Sequence, residues 1–169
     1  MDFDCNLITF LHKHGIIYAR EQLTNLNTGF KYYEIKVNMM ITIYVDAARD
    51  IKTGQSAAGA VIVINKQQRQ LKSLLPDTKD NQEAEFRALI WVLKMCATST
   101  DMIQLYSDSQ LLIDAINKNY AKHYQIYVDE ISALLESHAL LLSQWLPEKE
   151  NLGAHKLALQ ALQQKTTIK

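Results

Sequence analysis

The stretch MITIYVDA, residues 40–47, alternates along its length. Ile41, Ile43 and Val45 fall on one face of an extended chain, and Thr42, Tyr44 and Asp46 on the other. A turn carrying Gly54 leads to AAGAVIVIN and then QRQLKSLL, so three strands with short connections predict an antiparallel meander. The period then changes. In DNQEAEFRALIWVLKMC, Phe86, Leu89, Ile90 and Leu93 recur at helical spacing, with Asp80 and Glu83 placed as a capping box. MIQLYSD reads as a short buried strand, and SQLLIDAINKN and YQIYVDEISALLESH read as helices. ALLLSQWL is a last strand stopped by Pro147, and a closing helix runs from about Glu150 into the mid-160s. The order βββαβααβα predicts an α/β fold: a mixed sheet flanked by helices, with crossovers that make the later strands parallel to the first.

Residues 1–38 form a separate section before a main domain of residues 39–169. CNLITFLHKHG has helical spacing at Leu7, Phe10 and Leu11 and stops at Gly15, which predicts a short helix. FKYYEIKV, after the turn-rich NLNTG, reads as a strand. This extension is a candidate for self-association, although the sequence leaves the oligomeric state open.

Composition narrows the possible partners. Eighteen basic and eighteen acidic side chains balance, so affinity for a polyanion must be local rather than global. Cys5 and Cys96 have no metal-ligand spacing and are expected to be idle thiols in a reducing cytoplasm. No stretch approaches the roughly 20 apolar residues of a membrane span. Asp2 and Asp4 stand where an export signal would carry positive charge, so a cytoplasmic location and no membrane partner are expected.

Three acids carry the candidate chemistry. Taken singly, Asp46 is a strand-end turn former, Asp108 a helix cap, and Glu85 an acid favoured by a helix dipole. If the strands of Asp46 and Asp108 are parallel neighbours, both acids lie at carboxyl-end rims, where sites in such sheets form. Glu85, on the intervening helix, can reach that rim. Glu83 cannot, because residues two apart on a helix point to nearly opposite sides. Clustered carboxylates repel one another unless a cation neutralises them, and hard oxygen donors favour Mg²⁺ or Mn²⁺. A pair of such ions suits phosphoryl chemistry.

IYVDAA, DNQEAEFRALIWVL and YSDSQLLIDAI, in this order and spacing, resemble the ribonuclease H type 1 family, and WLPEKENLGAHKLALQAL resembles its last strand and C-terminal helix. The resemblance covers about residues 40–163. It implies a ribonuclease H-like fold with a five-stranded mixed sheet, two divalent cations (Mg²⁺ or Mn²⁺), and cleavage of the RNA strand of RNA–DNA hybrids to give a 5′-phosphate and a 3′-hydroxyl. Asp46, Glu85 and Asp108 match the family's first three metal-binding acids. Asn81 matches an asparagine that contacts nucleic acid, and Ser109, explained locally by the helix entry, is a second candidate substrate contact.

The last motif departs from the family. His155 stands where the family has its fourth acid, and the usual basic loop before it is PEKEN, with Glu148 and Glu150 around a lone Lys149. As a fourth catalytic and metal-binding residue, His155 would favour Mn²⁺ over Mg²⁺, because imidazole suits the softer ion; it could alternatively shuttle protons. Arg49, Lys52, Lys66, Arg69 and Lys72 could form a phosphate-contacting surface or a solvated edge. Trp91 and Trp145 read as core, and His123 and His138 as surface or capping groups. The expected function is a metal-dependent endoribonuclease, with a catalytically weak or inactive nucleic-acid-binding or protein-interaction domain as the alternative.

Overall fold

The computed structural model describes residues 9–13, 16–21, 31–36, 40–96, 102–136 and 140–166. The chain divides into two units between Met39 and Met40.

In the first unit, β1 (Thr9–Lys13), β2 (Ile16–Glu21) and β3 (Lys31–Lys36) form an antiparallel meander in the order β1-β2-β3. The helix expected across CNLITFLHKHG is corrected: its described part is strand β1. A short apolar run cannot separate helical from extended periodicity, and the β-favouring Thr9 and Phe10 decide for the extended form once a partner strand is present. The strand read in FKYYEIKV is β3.

The second unit contains β4 (Met40–Arg49), β5 (Ser56–Ile64), β6 (Gln67–Leu75), α1 (Asn81–Met95), β7 (Met102–Ser107), α2 (Gln110–Lys118), α3 (Gln125–Leu135), β8 (Leu140–Trp145) and α4 (Leu152–Thr166). Its five-stranded sheet runs β6-β5-β4-β7-β8. β4, β5 and β6 are antiparallel, whereas β7 lies parallel to β4 and β8 parallel to β7, as the helical crossovers require. The tight β5–β6 turn uses Asn65 and Lys66, both at positive φ, the backbone a two-residue hairpin of this hand needs.

The alternation read in residues 40–47 has a direct physical counterpart. Ile41, Ile43 and Val45 are buried against α1, whose Phe86, Leu89, Ile90 and Leu93 complete the core. Asp80 caps α1, accepting from the Glu83 N–H at 2.8 Å. Glu83 reciprocates one residue earlier than in the usual capping box, with its Oε2 accepting from the Lys79 N–H. The other oxygen, Oε1, accepts from Arg87 at 2.8 Å and from the Tyr127 hydroxyl at 2.6 Å, which ties the start of α1 to α3. Burial works to raise the Glu83 pKa, but the bonds from Tyr127, Lys79 and Arg87 outweigh it and hold the carboxyl below its ordinary value of 4.5.

On the opposite face of the sheet α4 lies against β5, β4 and β6. The contact is close enough to dictate a residue type. A Cβ at Gly59 would overlap the Ala154 carbonyl and the Ala158 backbone nitrogen. Gly59 is also the cross-strand partner of Asp46, so the helix is seated beside that acid.

Two outcomes follow for stability. Gly59→Ala forces backbone apart and should lower stability by about 3 kcal/mol or more. At about 2–4 °C per kcal/mol for a chain of this size, the melting temperature should fall by roughly 6–12 °C. Glu83→Gln should cost about 1–3 kcal/mol at neutral pH through the weakened charge-assisted bonds. A depressed carboxyl pKa adds stability above the unfolded value and loses it as pH falls through the folded one. The gap between wild type and Glu83→Gln in denaturant melts should therefore close as pH is taken below 4.5.

Candidate active site

Parallel pairing of β4 with β7 ends at Tyr44 and Tyr106, whose rings stack with centroids 4.9 Å apart. Gln104 donates to the Tyr106 hydroxyl at 2.6 Å. Two residues further on in each chain direction stand Asp46 and Asp108, so the stack sets the spacing of the strands on which the acids ride. Asp46 is buried, at 3% exposure, and the strand-end reading is corrected: β4 continues to Arg49 against β5, and Asp46 stands just past the stretch that pairs with β7. Glu85 projects from the second turn of α1 to the same rim. Its Oε2 is closed to solvent and has no hydrogen-bond partner.

The electrostatics show that the three acids share one site. Burial, followed by repulsion from Asp46 and Asp108, pushes the Glu85 pKa well above its ordinary value. Burial and the charge of Asp108 likewise raise Asp46, against the opposing bonds from His155 and the Ala47 N–H.

The far side of the site is built by the chain around α4. Asn151, 1% exposed, donates through Nδ2 to the Val45 carbonyl at 2.9 Å and to Asp108 Oδ1 at 3.1 Å, joining the ends of β4 and β7. The Asp108 carbonyl accepts from the Trp145 indole N–H at 2.9 Å. His155, in the first turn of α4, shares a hydrogen bond between Nδ1 and Asp46 Oδ2 at 2.7 Å, and its Nε2 lies 3.6 Å from Glu148 Oε1. The second Asp46 oxygen, Oδ1, accepts from the Ala47 N–H at 2.7 Å.

This donor set fits a hard divalent cation. It offers carboxylate oxygens, mutual repulsion that a cation would relieve, and an enclosed oxygen on Glu85 that nothing else satisfies. As the side chains stand, no group of three or more His, Cys, Asp and Glu among the described residues is arranged to hold a metal ion. Asp46 and Asp108 instead direct oxygens into bonds with His155 and Asn151.

Asp46, Glu85, Asp108 and His155 are thus brought together. Asn81 stands exposed in the first turn of α1, one turn before Glu85, at the mouth of the same rim. Ser109 is the N-cap of α2 and accepts from the Leu112 N–H at 3.3 Å. The five basic residues do not form one surface. Arg49 is committed to the carbonyls of Thr78 and Lys79, Lys66 lies in the hairpin turn, and Lys72 reaches Gln160 of α4. Arg69, three residues from Lys72 on the same strand, points to the opposite face. Trp91 is partly buried against the core, but the core reading of Trp145 is corrected: its ring is 44% exposed, because β8 is an edge strand and the indole is held at the rim by Asp108. His123 is exposed, and His138 and Cys5 lie outside the described residues. Asn151 and Glu148 were not singled out as site residues from sequence. An asparagine four residues before His155 was the available signal for the first; nothing in the sequence marked the second.

A family model described as RNase H matches residues 38–144, more than half of the chain. The chain belongs to the ribonuclease H family. The match ends before Asn151 and His155, the corner at which the sequence departs from type. Over 129 residues the chain is 43% identical to the "Putative hydrolase EbsB" of Enterococcus faecalis, covering 73% of this chain and 95% of that protein. It is 35% identical over 85 residues to the ribonuclease H of Syntrophomonas wolfei, covering 50% of this chain and 58% of that protein. The chain thus spans little more than half the length of that ribonuclease H. Among solved structures, RNase H1 from the halophilic archaeon Halobacterium salinarum shares the fold with a TM-score of 0.66 at 24% identity, over 74% of this chain and 98% of that one. LC11-RNase H1, solved in complex with an RNA/DNA hybrid, does so with a TM-score of 0.67 at 20% identity, over 75% and 99%. Family and fold together support a ribonuclease H-type nuclease for this member.

Removing one of the three repelling charges should stabilise the metal-free protein. Glu85→Gln in chelator at neutral pH is expected to melt higher than wild type, by about 2–4 °C for each kcal/mol of repulsion relieved. A lower melting temperature would show that the carboxyl is held by partners rather than strained by neighbours.

Proposed function

We propose that this ribonuclease H-family chain is a divalent-cation-dependent endonuclease that cuts the RNA strand of RNA–DNA hybrids. The observation that carries this reading is the Glu85 carboxyl. Its Oε2 is enclosed and without a partner, and it is pressed against Asp46 and Asp108, each two residues beyond the last parallel pair of β4 and β7. A fold does not retain such a group for stability, since an unneutralised acid cluster opposes folding.

Asp46, Glu85 and Asp108 would hold the cation. Bound there, a divalent ion supplies positive charge against the scissile phosphate and acidifies the attacking water. Asn151 keeps Asp108 aimed by holding Oδ1, and Trp145 fixes its backbone. Asn81, exposed one turn before Glu85, would hydrogen-bond the strand entering the site. Discrimination for RNA would come from contacts to 2′-hydroxyls and from the A-like shape of the hybrid.

A second reading, a weakly active or inactive binding domain, is favoured by one observation: His155 already occupies Asp46 Oδ2. A hybrid-cleavage assay with Mg²⁺ and with Mn²⁺ separates the two. Wild type should cleave and chelator should abolish cleavage. Asp46→Asn and Glu85→Gln should each lose about 10²–10³-fold or more in kcat, the scale on which a preorganised charge contributes. No cleavage by wild type, with activity gained in His155→Asp, would establish the second reading.

A further inference from the structure

The family resemblance assigns two ions to the site, yet the side chains here do not leave room on Asp46 for both. We propose that His155 is a fixed internal substitute for the second ion: it holds Asp46 Oδ2, so that the site takes a single divalent cation on its Glu85–Asp108 side. This rests on the nuclease reading above and concerns how the same site is filled.

Three observations carry it. The first is occupancy. Asp46 has one oxygen on the Ala47 N–H and the other on His155 Nδ1, each at 2.7 Å, whereas the enclosed carboxylate oxygen without a partner belongs to Glu85; the other enclosed oxygen without one is the amide Oδ1 of Asn151, a weaker cation donor than a carboxylate. With Asp46 ionised, the 2.7 Å contact requires the proton on His155 Nδ1, and a protonated ring nitrogen cannot serve as a metal ligand.

The second is rigidity. The His155 backbone N–H bonds the Asn151 carbonyl at 3.1 Å in the first turn of α4, and α4 is seated on Gly59, the cross-strand partner of Asp46. Asn151 is itself anchored to Val45 and Asp108. The other ring nitrogen lies 3.6 Å from the exposed Glu148 carboxylate, so both ring nitrogens face carboxylates.

The third is charge. Asp46, Glu85 and Asp108 together carry three negative charges when ionised. One divalent ion leaves a single excess negative charge, but a second would reverse the sign, with no fourth carboxylate to offset it. Glu148 does not fill that role, because the imidazole lies between it and Asp46. The Mn²⁺ preference expected from imidazole ligation falls away with this arrangement, since the ion would be chosen by carboxylate oxygens alone.

The test is to count ions on the full chain, free of nucleic acid. Mn²⁺ binding is followed by calorimetry and by the paramagnetic resonance signal of free Mn²⁺, counting the sites that Asp46→Asn or Glu85→Gln removes. Wild type should bind one ion and His155→Asp two. In wild type titrated with Mg²⁺, the nitrogen-15 and proton resonances of the His155 Nδ1–H should persist at saturation. This second measurement needs no variant, so it decides the matter even if His155→Asp folds poorly. Two ions on wild type, equal counts on wild type and His155→Asp, or loss of the Nδ1–H signal with Mg²⁺ would each overturn the proposal while leaving the nuclease reading intact. If wild type binds no ion, both fall together.

Discussion

Helix α4 reaches Asp46 because β5 has no side chain at residue 59. The Ala154 carbonyl and the Ala158 nitrogen occupy the space a Cβ would need, and the strand position they cover is paired with Asp46 itself. One missing methyl group therefore sets the depth at which the helix lies on the sheet. From that depth Asn151 bridges β4 and β7, and His155 arrives within hydrogen-bond distance of Asp46. Had the helix stood off by the usual side-chain separation, neither residue could have reached its partner, and the rim would be lined by the carboxylates of β4, α1 and β7 alone.

Against this close packing stands a local conflict. The rim gathers Asp46, Glu85 and Asp108, and burial makes their mutual repulsion stronger than it would be in water. The surrounding fold absorbs it. The Tyr44–Tyr106 stack fixes the strand ends, the Glu83–Arg87–Tyr127 contacts tie α1 to α3, and Arg49 clamps the approach to α1 through the carbonyls of Thr78 and Lys79. These ordinary contacts sit next to the unsatisfied ones, which is how a protein holds a reactive constellation: rigid around it and frustrated within it.

Much of this was legible in the sequence, and the reason is periodicity. The alternation from Ile41 to Val45 and the stripe from Phe86 to Leu93 each record which face is buried, so the strands, the main helix and the placement of Asp46, Glu85 and Asp108 could be read from order and spacing. What could not be read depends on distance through space. Asn151 is a polar residue in a short turn until its Nδ2 is seen between Val45 and Asp108. Trp145 looks apolar and therefore core until β8 proves to be an edge. The basic residues from Arg49 to Lys72 look like a cluster in sequence, yet strand alternation sends Arg69 and Lys72 to opposite faces of β6. Residues 9–13 failed for a different reason: five residues hold too little periodicity to overrule a neighbouring strand.

His155 joins these two themes. An acid at its position would add a fourth negative charge to a rim already under repulsion, which the metal-free fold would have to bear. An imidazole adds none, and its bond to Asp46 opposes the rise that burial and Asp108 impose on that acid. The same contact removes a carboxylate oxygen from the set that could bind a cation. Stability of the empty site and affinity for a second ion therefore pull on one hydrogen bond from opposite directions. The depth of α4 on Gly59 holds that bond closed, because the helix cannot back away without giving up the contacts of Asn151 as well.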